Sequence, residues 1–368
     1  MSTSNKLPAT ASLWLGFCLL TIASRVAAES PHFKEAEVRS SVERALPLLE
    51  RASAGSAEQR QCFTCHSQAM PVLAFVEAKQ RGFHSDPSNL QRQIEHTHAH
   101  LKRGLENYKD GKGQGGGVDT AGYALWTLED GGRKADDVTD AVVEWLLTNQ
   151  SDQGFWKRSS ERPPSEASHF TATYLALRAL AAFGRDADSA RMEMAKINAA
   201  KWLSQEAPKD TEDQVFCLLS TQFVDLPLEF CETLITLLKD SQREDGGWAQ
   251  LKGMESDAYA AGTVLYALNR SGMPVDDVVW QHGIQFLLTS QRNDGSWHIV
   301  SRSKPFQTYF ESGFPHGKDQ FISTSATAWA TICLLLSLPE SAVVEVDPLV
   351  GTQPLEWPES DLSGRLRP

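Results

Sequence analysis

The sequence predicts an all-α protein folded as a single α6/α6 toroid, and three observations predict it. A short turn built on Gln, Gly and Trp recurs at a long period. Helices with one charged face alternate with helices that are apolar nearly all round. Six helices of each kind can be read, enough for alternating hairpins to close into a ring with one kind inside and the other outside. An open solenoid of stacked hairpins is the alternative that repeats alone leave open.

The turns are QSDQGFW (Gln150 to Trp156), QREDGGW (Gln242 to Trp248) and QRNDGSW (Gln291 to Trp297). The last two begin 49 residues apart and the first two 92 apart, which is near twice 46 and marks a repeat of helical pairs. Gly supplies the bend, Gln can bond free backbone groups at a helix end, and a Trp lying on that Gln would lock the joint.

The elements follow in chain order. The first hairpin pairs an outer helix at Ala36–Ala52 with an inner one at Gln68–Gln80, and the second pairs Leu90–Tyr108 with Val118–Leu128. Both are degenerate copies without the full turn. The third has an outer helix at Val138–Asn149, ending in a WLL run before its turn, and a small-residue inner helix at Ser168–Phe183. The fourth, Ser189–Gln205 with Glu212–Thr221, is again degenerate. The fifth and sixth regain the turn, pairing Phe230–Asp240 with Asp257–Asn269 and Val275–Ser290 with Thr324–Ser337.

The ends of the chain read differently. Lys6, the apolar run Leu13 to Ala23 and the small residues Val26-Ala27-Ala28 predict a secretory signal peptide over residues 1–28, an uncleaved anchor being the alternative. Cys18 lacks the preceding small residue of a lipoprotein site. The expected layout is therefore a signal peptide at 1–28, a toroid at 29–346 and an irregular Pro-rich tail at 347–368. The expected location is outside the cytoplasm, periplasmic or extracellular. With Lys6 and Arg25 removed, 33 basic residues face 47 acidic ones, a net charge of −14 that disfavours nucleic acid and anionic lipid. No segment after the leader is apolar and long enough to span a membrane. Cys217, Cys231 and Cys333 stand among apolar residues and predict buried thiols, not a disulfide framework.

The Q-x-x-D/Q-G-x-W turns resemble the QW repeats of squalene and oxidosqualene cyclases and their prenyltransferase-like relatives, over most of the mature chain. The resemblance implies the α/α barrel of that group. It departs from the group in three ways. Hopene-forming cyclases use two toroids, and this chain has length for one. Their acid motif D-x-D-D-T-A is reduced here to GGGVDTAGY, with Asp119 alone before Thr120-Ala121. The D-x-C zinc pair of protein prenyltransferases is absent from the sequence. Fold carries over from such a resemblance more safely than activity.

A second signal lies at the joint of the first hairpin, where later hairpins carry their turn: Cys62-Phe63-Thr64-Cys65-His66. C-x-x-C-H is the attachment signal of c-type haem, in which two thiols reach the two vinyl groups and the adjacent imidazole binds iron. With this composition, chance yields the motif on the order of a few times in a thousand such chains. A disulfide between Cys62 and Cys65, or a metal site using both thiols, are the alternatives. Zinc would need a second ligand pair, and no second C-x-x-C exists.

For the second axial position, Met70 follows His66 too closely on one helix to cross the ring. His169, His298 and His316 belong to the same mouth of the toroid. Ring closure brings the Trp297–Ser323 insertion beside hairpin one, which favours His316. His96 and His100, in the run that also holds His98, share a helix face and could hold a metal, although a solvated helix face is the favoured reading of them. Asp119, Asp213 and Asp257 open inner helices, where acids serve as caps or as catalysts.

The reading that follows is an exported toroid carrying one covalent haem c on Cys62, Cys65 and His66. Its role would be redox or haem-dependent: electron transfer, sensing, or oxidation of an apolar small molecule in the toroid cavity, with a redox partner protein. Two alternatives stand beside it. One is a terpenoid-cyclase-like enzyme with Asp119 as acid and Trp126, Tyr174, Tyr259 and Trp329 around a cationic intermediate. The other is a binding or scaffold toroid without chemistry.

Overall fold

The computed structural model describes residues 33–304 and 308–341. The expected leader at 1–28 and the Pro-rich tail at 347–368 lie outside the described residues. Within them the chain is helical, and its one β-type contact is a single bridge between Arg162 and Glu166.

Six helices form the inner ring: α2 (Met70–Gln80), α5 (Gly117–Asp130), α7 (His169–Phe183), α9 (Thr211–Ser220), α11 (Ala258–Arg270) and α13 (Gln320–Leu336). Six surround them: α1 (Glu35–Gln59), α3 (Pro87–Arg103), α6 (Asp137–Thr148), α8 (Ser189–Gln205), α10 (Leu228–Asp240) and α12 (Val278–Ser290). The short α4 (Leu105–Lys109) continues α3 after a break at Gly104. Each inner helix packs on the next in chain order, and α13 packs on α2, so the ring closes.

Burial separates the two sets as their patterning requires. The outer α8 buries Ala195, Ala199, Trp202 and Leu203, a single stripe at helical spacing, and turns its charged residues to solvent. The inner α11 buries every residue from Ala258 to Leu268. Full burial of a side chain such as Leu265 contributes about 1.5–3 kcal/mol, so the ring of inner helices supplies most of the core.

The recurring turns weld neighbouring hairpins. Gln150 donates its amide to Gly154 O at 2.7 Å in its own turn and to Ala195 O at 2.8 Å on α8. Gln242 does the same to Gly246 O (2.9 Å) and to Val279 O on α12 (2.8 Å). Gln291 reaches Gly295 O (3.0 Å) and Ser41 O (2.9 Å), and Ser41 lies on α1. The sixth turn therefore bonds to the first hairpin just as earlier turns bond to the next one. This excludes the open solenoid.

The lock expected from Trp lying on Gln is made by hydrogen bonds from both side chains. Trp156, Trp248 and Trp297 each donate the indole N–H to the outer-helix carbonyl ten residues earlier, at 2.8, 2.8 and 3.0 Å. Gly154, Gly246 and Gly295, at the same place in the three turns, have positive φ, and a Cβ on Gly295 would stand 2.4 Å from Arg44 O on α1. Only Gly lets the two backbones approach so closely.

The axis of the ring is filled at the level of Trp126. Trp126 of α5 meets Tyr266 of α11, on the opposite side of the ring, with centroids 6.5 Å apart, and it also touches Tyr174 (5.6 Å) and Trp329 (6.1 Å). The Arg178 guanidinium lies over the Trp126 ring at 4.5 Å. Of the four aromatic residues expected to surround a cationic intermediate, Trp126, Tyr174 and Trp329 pack here against protein.

Candidate functional site

The C-x-x-C-H segment forms the joint between α1 and α2, and α3 holds it from outside. It enters α2 through a π-turn: the Ala69 N–H reaches back five residues to Thr64 O at 3.3 Å. Such wide turns often mark functional positions, because they re-aim one side chain without breaking the helix. The Ser56 and Thr64 hydroxyls, 3.0 Å apart, tie the joint to α1. Gln68 accepts from Thr64 N (2.9 Å) and bonds Gln93 of α3 (2.9 Å). His96 uses both ring nitrogens as a clamp, one against Gln68 Nε2 (2.8 Å) and one against Gln61 O (2.9 Å).

Cys62 is exposed and Cys65 is buried, and both thiols are free. His66 is 7 % exposed, its ring packs on Phe321 at 4.9 Å, and its Nε2 is buried with no hydrogen-bond partner among the described residues. Burial holds its pKa down at about 4, so the imidazole is neutral and able to ligate. Cys65 donates its thiol to Glu166 Oε1 at 2.5 Å. Burial, followed by the Glu166 charge, pushes that thiol well above its usual range. Ligand atoms of Cys65, His66 and Glu166 lie within 4.8 Å of one another.

These residues open onto a cleft of about 370 Å³. Its walls carry Cys62, Cys65, His66 and His100, with Arg60 and Arg162 also on them. The Trp297–Ser323 connection contributes Thr308 and Phe310 to the same walls. Phe63 lies between the Cys positions in sequence, is itself buried, and its ring centroid is 6.2 Å from that of His100.

The other sequence candidates separate into distinct environments. Asp119 is buried in the first turn of α5, where its Oδ2 accepts from the Ser159 N–H and hydroxyl, both at 3.0 Å, while Oδ1 has no partner among the described residues. Burial raises its pKa to about 7, against the lowering effect of the Ser159 N–H, and nearby Glu166 adds to the rise. It is not a cap. Neither is Asp213, which takes the Ser168 hydroxyl at 2.5 Å and Lys209 N at 3.0 Å while Asp210 caps α9. Asp257 does cap α11, through Tyr259 N and Ala260 N.

His316 is not brought to the cleft. Its Nε2 bonds the Ser296 hydroxyl at 2.7 Å and its ring packs at a tilt on that of His298, with centroids 4.6 Å apart, at the head of α13. His298 is itself bonded to Asp319 (3.0 Å), and His169 accepts from Arg158 N (3.1 Å). The proposed His96–His100 metal pair is not formed either, since His96 spends both nitrogens on the joint. His98 pairs with Asp136 at 2.8 Å. Cys217 and Cys333 are buried, whereas Cys231 on α10 is half-buried.

Two acids escaped the sequence reading. Glu166 sits in the long loop after the third turn, and no spacing relates it to Cys65. Glu212 is fully buried in α9, accepting from Thr171 (3.0 Å) and Tyr259 (3.3 Å), and burial raises its pKa. An acid next to Asp213 in the first turn of an inner helix was the available signal for it.

The model of the squalene-hopene cyclase C-terminal domain matches residues 178–353. The chain is an α/α toroid, and its second half is similar to the C-terminal domain of squalene-hopene cyclases. Among solved structures, this toroid is similar to a protein from Actinoplanes at 15% identity and a TM-score of 0.53, over 83% of this chain and 99% of that one. It is equally similar (TM-score 0.53) to a glycosidase variant in complex with glucose, at 12% identity over 81% of this chain and 98% of that one. A type II terpene cyclase from Scytonema aligns at 16% identity and a TM-score of 0.40, over 83% of this chain and 98% of that one. At these identities the likeness concerns the fold alone. No curated protein matches the toroid. No helix among the described residues is long and apolar enough to cross a membrane.

Proposed function

We propose that the toroid carries one covalent c-type haem, thioether-bound to Cys62 and Cys65 with His66 on the iron, and that it serves electron transfer. The observation that carries the reading is the buried, unpartnered Nε2 of His66, in a cleft that also presents both thiols of its motif. A neutral imidazole nitrogen left without a partner costs about 1–3 kcal/mol, which a bond to iron offsets. Arg60 and Arg162 on the cleft walls suit the two propionates of a haem. Bound there, the group would supply one-electron chemistry at the mouth of the toroid.

The filled axis favours electron exchange with a redox partner protein over oxidation of an apolar molecule held inside the ring. The proposed leader agrees with the compartment in which thioether attachment takes place, periplasmic or extracellular. The test is maturation of the full chain with a cytochrome c assembly system, followed by a pyridine haemochrome assay and intact mass. Colour should survive denaturing gels, and Cys65→Ala should leave a single thioether. A mature mass without haem, with assembly active, refutes the reading.

A second reading is favoured by the Cys65, His66 and Glu166 ligand atoms, which would suit a divalent ion such as zinc. It excludes the first, since Cys65 cannot be both thiolate ligand and thioether. Metal analysis of the same preparation separates them. A cyclase-type reading keeps a fitting acid in Asp119, yet the packed axis offers a polyprenyl chain no bore at the level of Trp126. Turnover of a polyprenyl substrate that is lost in Asp119→Asn would restore it.

A further inference from the structure

We infer that His100, from the outer helix α3, is the second axial ligand of this haem. The inference rests on the haem reading above and adds the residue that completes the iron site.

Four observations converge on it. His100 and His66 are the two histidines on the walls of the cleft that holds Cys62 and Cys65. His100 is buried at 9 % exposure although α3 is an outer helix, so its ring faces the joint. Its Nε2 is buried and has no hydrogen-bond partner among the described residues, the same state as His66 Nε2. The other imidazoles near the mouth are committed: His96 to Gln68 and Gln61, His169 to Arg158, His298 to Asp319, and His316 to Ser296.

The chemistry fits the position. An imidazole nitrogen without a hydrogen-bond partner is free to bind iron, and His100 Nε2 is such a nitrogen on the wall of the cleft. Gln114 Nε2 donates to His100 O at 2.9 Å, which fixes the backbone at this residue. His96, one turn earlier on the same helix, clamps the haem-motif joint. One face of α3 thus both braces the motif and presents a ligand to it. The spacing of His96 and His100 gains a physical meaning, although not as a shared metal pair.

The experiment compares the matured full chain with His100→Ala, His100→Met and His316→Ala, measuring haem content by pyridine haemochrome, the optical spectrum, carbon monoxide uptake and reduction potential. The unsubstituted protein is expected to be six-coordinate and low-spin and to take up no carbon monoxide. His100→Ala should keep its haem and bind about one carbon monoxide per haem. His100→Met should stay six-coordinate, gain the sulfur-to-iron charge-transfer band and show a higher potential, because Met in place of His raises it. His316→Ala should match the unsubstituted protein. An unchanged spectrum in both His100 variants, with haem retained, overturns the inference, as does carbon monoxide uptake by the unsubstituted protein. Opening of the site by His316→Ala would assign the ligand to His316 instead. If Ala at 100 prevents folding, the Met variant carries the decision. Absence of covalent haem from the unsubstituted chain marks failure of the haem reading itself, separately from that of the ligand.

Discussion

Replacing Gln291 by Ala removes the side chain that joins the last hairpin to the first. Its amide nitrogen donates to Gly295 O at 3.0 Å and to Ser41 O at 2.9 Å, and its oxygen takes the Ser41 hydroxyl at 2.8 Å and Arg44. Ser41 is 250 residues away in sequence, so these bonds exist only in a closed ring. A hydrogen bond contributes about 0.5–1.5 kcal/mol net, and an acceptor left unpaired costs about 1–3 kcal/mol. Two carbonyls lose a donor at a half-buried joint, which gives an expected loss of about 2–3 kcal/mol. In an open superhelix only the bond within the turn would be lost, about 1 kcal/mol. Unfolding entropy of about 2.1 cal/mol/K per residue over roughly 300 residues converts the closed-ring loss to about 3–5 °C in Tm. Scanning calorimetry reads the shift, and a cycle with Ser41→Ala reads the coupling, expected near about 1 kcal/mol. Zero coupling, with Gln150→Ala still costing about 2 kcal/mol, would refute closure through this joint.

Two further changes probe the same architecture and the buried acid. Gly295→Ala forces a side chain onto a residue at φ +91° and places its Cβ 2.4 Å from Arg44 O, so urea unfolding should show a larger loss than for Gln291→Ala. That loss should be about 3–5 kcal/mol, and an unaffected midpoint would mean that the turn does not meet α1. Asp119 has a folded pKa of about 7 against an ordinary 3.8, so its contribution to stability is complete below pH 4 and is lost as pH rises through 7. The gap corresponds to about 4 kcal/mol at about 1.36 kcal/mol per pH unit. Asp119→Asn should therefore gain on the unsubstituted protein between pH 4 and pH 7, and a difference independent of pH would show that Asp119 ionises normally.

The sequence by itself determined the kind of the elements and their six-by-six alternation, because hydrophobic periodicity and turn chemistry are local, although the break at Gly104 that separates α4 from α3 was not read. The stripe of α8, the apolar flanks of α11 and the Gln–Gly–Trp turns were all legible, and so was the placing of C-x-x-C-H at a repeat joint. Even so, α13 begins at Gln320, four residues before its expected start at Thr324. Tertiary structure alone decided what meets across the ring. Glu166 reaches Cys65 from 101 residues away, and Ser159 reaches Asp119 from 40. Which histidine faces the cleft depends on how α3 rotates against the joint: that rotation spends His96 on hydrogen bonds and turns His100 inward. His316 looked well placed because ring closure brings its loop beside hairpin one, but proximity of a loop does not orient a ring. The Ser296 hydroxyl and the His298 ring hold it instead. Whether the axis is a bore or a plug was likewise beyond the sequence, since aromatic residues on inner helices can either line a cavity or meet one another. Trp126 and Tyr266 meet, because six inner helices in one ring leave their largest side chains only each other to pack against at that level.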